Sequence, residues 1–281
     1  MRIIIDLQGL QIDGNRKRGI GRYCLDFTKS LIKYFPENEY ILFTNSASFD
    51  LRNYFVDELN NKKYNLIYFQ CPTIGDLNQF YTGKYSNLWT SIQLRSYALS
   101  LINADVIVIT SFFDGFRTNT LVSHDKSFQL PPIVSIIYDL IPLIHSELYL
   151  NNDPEFKLFY LKKIEELSSL DGFLTISQSS LREAQKLLDI NSKQIFNISS
   201  ACNVNKFSLG VSNLNRDGKY LGKFLLYCGA SDPRKNLSRL IQAYALLPLN
   251  LILKHKLVLT GPYTDEEKFL IQEWMINFGL P

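Results

Sequence analysis

Residues 2–34 read RIIIDLQGLQIDGNRKRGIGRYCLDFTKSLIKY, and the switch of period inside this stretch decides the fold. Its opening, RIIIDL (residues 2–7), is a β-branched run of the kind that makes a strand buried on both faces. Ile20, Tyr23, Phe27, Leu31 and Tyr34 then recur at steps of three and four, one stripe of an amphipathic helix. The same alternation continues downstream. Strand-like runs at residues 40–44, 65–69, 105–110, 133–138, 172–176 and 195–198 are interleaved with stretches of helical period. The clearest of these are residues 88–101, a stripe from Phe156 to Leu167 behind Pro154, and residues 180–188. Strand and helix in turn predict an α/β chain with a parallel, doubly wound sheet.

Residues 204–222 break the pattern: they are polar, rich in Gly and Asn, and without period, so they read as a linker. Residues 1–203 then form one Rossmann-like domain. Residues 223–281 restart with a strand (KFLLYC, 223–228), a turn at 229–235, a helix from 236 to about 247, a strand at 256–260 and a helix from 265 to about 278. Two strands and two helices are too few for a second complete sheet, so this second domain is expected to be only its first part.

Composition narrows the function classes. With 46% hydrophobic and 20% charged residues among 281, the chain is not disordered or fibrous. Thirty basic against 27 acidic side chains give a net charge of +3, too little to suggest a nucleic-acid partner. Four scattered cysteines form no CxxC pair and no metal-ligand spacing, which indicates neither disulfides nor zinc and fits a reducing cytoplasm. No apolar run approaches the roughly 20 residues of a membrane helix.

Two segments break a helix rule. After the first strand, Arg16, Lys17, Arg18 and Arg22 crowd the start of a helix, where the macrodipole already presents positive charge and an uncompensated cation costs about 0.3–1 kcal/mol. Gly19 and Gly21 in that segment let backbone come close to a ligand. After the strand at 223–228, GASDPRKN (residues 229–236) repeats the arrangement. Asp232 is a plausible cap, Pro233 suits the first helical position, and Arg234 and Lys235 again stand at the unfavourable end. Either segment is a cradle for phosphate or carboxylate, or a solvated basic loop before an ordinary helix. Both lie at the carboxyl end of the first strand of their half, the edge where open parallel sheets bind ligands.

DLQG with RGIGRY (residues 6–9 and 18–23), YDLIPLIH (138–145), FLTISQSS (173–180) and LLYCGASDPRKNLSRLIQAY (225–244) together resemble the retaining glycosyltransferases of family 4. The likeness runs in order along nearly the whole chain and is nearest to the mannosyl- and rhamnosyltransferases of bacterial O-antigen and capsule synthesis. It implies the GT-B fold, two Rossmann-like domains with the acceptor mainly on the first and the nucleotide-sugar on the second. By this resemblance Gly19, Gly21, Gly229, Arg234 and Lys235 hold the donor diphosphate, and Asp139 stands near the acceptor as the tentative catalytic position. Asp139 also suits a side chain bonding its own turn. His124 and His145 read as structural or exposed, not catalytic.

Where that family often has Gly-Arg, this chain has Gly229-Ala230. The family's Glu-x7-Glu donor segment does not appear before the sequence closes at FGLP (residues 278–281), as in a truncated member. The resemblance suggests transfer with retention from a nucleotide diphosphate-sugar, GDP-mannose first, to a carbohydrate or lipid-linked saccharide. No metal or other cofactor is implied. The expected location is cytoplasmic, with room for peripheral contact at the inner membrane face. A non-catalytic remnant or interaction protein of a polysaccharide locus is the alternative, and a nucleotide-sugar epimerase of the same fold a third.

Overall fold

A computed structural model describes residues 1–73, 85–188, 190, 194–201 and 223–280. The expected linker at 204–222 lies outside the described residues. The chain divides into two compact units, Met1–Phe207 and Ser208–Pro281.

In the first unit, seven strands form one sheet. They are β1 (Arg2–Asp6), β2 (Glu39–Asn45), β3 (Asn65–Cys71), β4 (Val106–Ile109), β5 (Ile133–Ile137), β6 (Gly172–Thr175) and β7 (Ile195–Asn197). Their order is β3-β2-β1-β4-β5-β6-β7 and every neighbouring pair is parallel. The chain therefore reverses its winding between β1 and β4. At that seam Ile3 faces Val106 and Asp6 faces Ile109.

The two faces of the sheet follow from the two-residue period of a strand. Ile4, Ile41, Phe43, Ile107 and Ile109 point to one face, where they pack with Leu99, Leu167 and Ala184 of the helices Tyr85–Leu101, Pro154–Leu167 and Gln178–Leu187. Ile5, Tyr40 and Leu42 point to the other and meet Cys24 and Ile32 of the helix Gly19–Tyr34, with Leu51 and Phe55. β1, β2 and β4 read as unbroken apolar runs because neither face is left to solvent, whereas the edge strands β3 and β7 carry exposed positions.

The second unit has two parallel strands, β8 (Lys223–Cys228) and β9 (His255–Thr260), with Leu225 opposite Leu257. Leu237 and Ile241 of the helix Leu237–Ala245 and Ile271 of the helix Asp265–Asn277 make its small core. The start of the first of these helices differs from the sequence expectation. Pro233–Lys235 form a separate 3₁₀ turn, Asn236 adopts a left-handed backbone (φ 51°), and the α-helix begins only at Leu237. Asp232 caps the short turn, accepting from the Arg234 N–H. Leu249–Lys254 form a further helix after Pro248, which closes off the preceding one.

Candidate functional site

The carboxyl edge of the seven-stranded sheet gathers most of the buried polar groups. At the end of β1, Asp6 is wholly buried and its Oδ2 accepts from Arg95 Nη2 at 2.7 Å. Arg95 is buried equally deeply and lies over the Phe43 ring, 5.2 Å from its centroid. The next residues are held by amide clasps. The Gln8 side chain donates to Leu121 O and accepts from Leu121 N–H, at 2.7 and 3.0 Å. Gln11 donates to Asn45 O and Phe49 O and accepts from Asn45 N–H. Each amide makes both kinds of bond, so the segments after β1, β2 and β4 are tied to one another.

Asp114, just beyond β4, closes this cluster. Its Oδ1 accepts from Asn15 Nδ2 at 2.8 Å, while Oδ2 is buried without a partner. A Cβ on Gly9 would come within 2.5 Å of that oxygen, so glycine is needed there for close approach. Burial pushes the Asp114 carboxyl up to about 6 against the opposing pull of its hydrogen bonds from Ser111 and Asn15 and of the Lys163 charge. A carboxyl raised in this way holds its proton more tightly folded than unfolded. The stability it contributes grows as pH falls from about 6 towards 4, and is lost on the way back up. Asp114→Asn keeps the acceptor for Asn15 and removes the buried charge. Relative to the parent, the variant should gain about 2 kcal/mol more at pH ~7.5 than at pH ~4.5, read from urea midpoints.

The basic segment before the helix Gly19–Tyr34 is only partly spent. Arg16 pairs with Asp13, donates to Gln11 O and stacks on Phe49, its guanidinium carbon 3.7 Å from the ring centroid. Lys17 also pairs with Asp13, at 3.1 Å. The penalty expected for these two cations is thus offset by Asp13. Arg18 and Arg22 remain exposed. Arg18 is the N-cap residue, no side chain caps the helix, and its first turn holds no acid. Around Gly19 there is open space, whereas a Cβ on Gly21 would meet Asn15 O at 2.4 Å and Arg16 Cα at 2.6 Å. Gly21 is therefore glycine because its own preceding loop packs on it.

Asp139 follows β5 on the same edge. Its Oδ1 accepts from Ile141 N–H at 3.1 Å, the turn-bonding role noted from sequence. Next to it, Tyr138 OH donates to Thr110 O and meets Cys24 Sγ at 3.2 Å. This ties β4, β5 and the helix Gly19–Tyr34 together. Gly19, Gly21 and Asp139 accordingly share the carboxyl edge of one sheet.

In the second unit, Gly229, Arg234 and Lys235 share the corresponding edge of the β8–β9 sheet. A Cβ on Gly261 would lie 2.1 Å from Gly229 O, so the two loops touch backbone to backbone. Ser231 donates to Glu267, which also completes a capping box with Thr264. Arg234 Nε donates to Asp232 at 2.9 Å. Lys235 is exposed and joins no ion pair among the described residues. The helix that follows is uncapped by any side chain and has no acid in its first turn.

Sequence reasoning missed Asp114, Arg95 and the two glutamine clasps. Only DLQG hinted at them, as polar residues directly after an apolar strand. His145 lies 3.7 Å from Glu147 on the surface, and burial lowers His124 to about 4, leaving it neutral at pH ~7. Among the described residues no group of His, Cys, Asp and Glu is placed to hold a metal ion, and no helix is long and apolar enough to cross a membrane.

No protein-family model matches the chain. The serotype-specific mannosyltransferase WbdA of Escherichia coli is 29% identical over 294 residues, covering 100% of this chain and 34% of that protein. The O-antigen chain mannosyltransferase B of Escherichia coli is 27% identical over 161 residues, 54% of this chain and 41% of that protein. The chain thus spans about a third of the length of its WbdA relative. Among solved structures, HepE of Anabaena in complex with UDP-glucose superposes with a TM-score of 0.57 at 12% identity, covering 100% of this chain and 66% of the other. A glycosyltransferase from Rickettsia africae gives 0.55 at 11%, with 99% and 65% covered. The fold is of the GT-B type, with a Rossmann-like unit built on the seven-stranded sheet and a second α/β unit built on β8 and β9.

Proposed function

We propose that this chain is part of a glycosyltransferase that moves a sugar from a nucleotide diphosphate-sugar to a carbohydrate acceptor, as a mannosyltransferase of surface-polysaccharide synthesis. One observation carries the proposal. Among the described residues, the helices Pro154–Leu167, Gln178–Leu187 and Asp265–Asn277 have side-chain caps, from Asp153, Ser177 and Thr264. Gly19–Tyr34 and Leu237–Ala245, the first helix of nine or more residues in each unit, have none and are flanked by cations. The other helices without a side-chain cap among the described residues, Gln8–Gln11, Asp13–Arg16, Val56–Asn60, Ile141–Ile144, Ser146–Tyr149 and Leu249–Lys254, are all short. Free N–H groups beside Arg18, Arg22 and Lys235 form donor sets for an anion.

The reaction's electrostatic task is to stabilise charge growing on the departing diphosphate. Fixed backbone donors and a nearby lysine do this without reorganising during the step. In this proposal Gly19, Gly21, Gly229, Arg234 and Lys235 serve the diphosphate and Asp139 the acceptor side. Gly21 acts by shaping its loop. The relatives' names favour mannose, hence GDP-mannose. Transfer with retention, a free or lipid-linked acceptor, and a cytoplasmic site touching the inner membrane face are the finer parts of the same proposal.

Isothermal titration of the chain with GDP-mannose and UDP-glucose tests it. We expect saturable heat with at least one of them, weakened about tenfold or more by Lys235→Ala, the loss of one charge-assisted contact. No heat with either overturns the proposal.

A further inference from the structure

Between the helices Tyr85–Leu101 and Pro154–Leu167 the first unit holds a cavity of about 370 Å³, within the range of small-molecule sites. Trp89, 49% exposed, forms an apolar wall with Leu88 and Ile92, and Lys126, Lys162, Glu165 and His124 supply charged and polar groups around it. Two more lining residues, Ser123 and Glu166, are fixed in advance by Lys163, which does not itself line the cavity. Lys163 Nζ donates to Ser123 Oγ at 2.7 Å and to Glu166 Oε2 at 2.9 Å, and Ser123 Oγ donates to the same carboxylate oxygen at 2.7 Å. Lys163 is buried and its ammonium also lies 5.0 Å from the Phe112 ring centroid. A buried ion pair of this kind adds little to stability compared with apolar packing, which leaves its presence beside a cavity to be accounted for by what the cavity holds.

The lining selects the ligand's chemistry. Glu165 and Glu166 would repel a phosphate or carboxylate. Lys126 and Lys162 would repel a metal ion or polyamine. A neutral ligand rich in hydroxyls satisfies both signs, since each hydroxyl donates to a carboxylate and accepts from an ammonium. A sugar ring adds an apolar C–H face that lies flat on an indole. We infer that this cavity is a saccharide site that takes a neutral sugar segment of the acceptor glycan through Trp89, Glu165, Lys162, Ser123 and Glu166. The inference rests on the glycosyltransferase proposal for the identity of the sugar chain and goes beyond it in placing a saccharide site between the helices Tyr85–Leu101 and Pro154–Leu167.

Trp89 is also the reporter. The chain has two tryptophans, so Trp274→Phe leaves Trp89 as the only one. Titrating this variant with α-mannotetraose should change the Trp89 emission saturably, and inorganic phosphate should not. In the otherwise unaltered chain, Trp89→Ala should weaken mannotetraose binding by calorimetry about tenfold while leaving the unfolding transition in place. Flat emission with mannotetraose overturns the site, as does an equal response to phosphate. If GDP-mannose or UDP-glucose still binds in that case, the proposed function stands without it. A saturable mannotetraose response in a chain that binds neither nucleotide-sugar supports the cavity and removes the transferase proposal.

Discussion

Arg95→Met costs the first unit about 3–5 kcal/mol in urea unfolding, because it strands the Asp6 carboxylate in the centre of the sheet. Burial works against both charges, raising Asp6 and lowering Arg95, so each depends on the other to remain ionised. The guanidinium is also incompletely served: its Nε and Nη1 are buried without a hydrogen-bond partner. Asp6→Asn combined with Arg95→Met should therefore recover most of the loss. No charge is then left, and the substituted amide oxygen still accepts from the Gln8 N–H, as the Asp6 carboxylate does at 2.9 Å. A double variant as unstable as the single one would show that Arg95 acts through packing on Phe43 and not through charge.

The second large effect separates two glycines that look alike in sequence. Gly21→Ala drives a methyl group into the Asn15 carbonyl, a backbone atom with no rotamer to escape through. The loop must shift, at about 2–3 kcal/mol by the usual scale of overpacking. Gly19→Ala meets nothing within 4 Å and sits in the first turn of a helix, so stability should hold or rise by a few tenths of a kcal/mol. Nucleotide binding reverses the comparison. If Gly19 lies against the donor, its added methyl lowers affinity for GDP-mannose in a fully folded protein. Thermal melts paired with calorimetry on the two variants distinguish fold from function, and equal nucleotide affinity in Gly19→Ala and parent would remove Gly19 from the site.

The sheet was legible because its strands are short apolar runs flanked by helical period, a pattern set by burial on both faces and independent of distant contacts. β8, in the second unit, also agrees with the expected run at 223–228, although most of its residues are exposed. Helix starts were less legible. The cations at 16–18 look uncompensated until Asp13 is seen to reach Arg16 and Lys17 from the same short turn. Near 236 a left-handed Asn delays the helix to Leu237, a backbone choice that side-chain period cannot express. Arg95 and Asp114 were hidden for another reason. Their meaning depends on partners 89 and 99 positions away, so neither stands out until the sheet brings Asp6 and Asn15 beside them.

The seam between β1 and β4 has a kinetic consequence. Arg2 N–H donates to Asp105 Oδ2 across 103 positions of chain, and this pairing sets the middle of the sheet. Closing so long a loop comes before any reward from central contacts, which makes high-contact-order parallel sheets slow to assemble. During synthesis, β1 must wait for β4 to leave the ribosome, with Ile3, Ile4 and Ile5 uncovered in the meantime. The nascent chain is thus most exposed to aggregation between the synthesis of β1 and that of β4, and β2, which reaches β1 sooner, is the strand placed to shelter it.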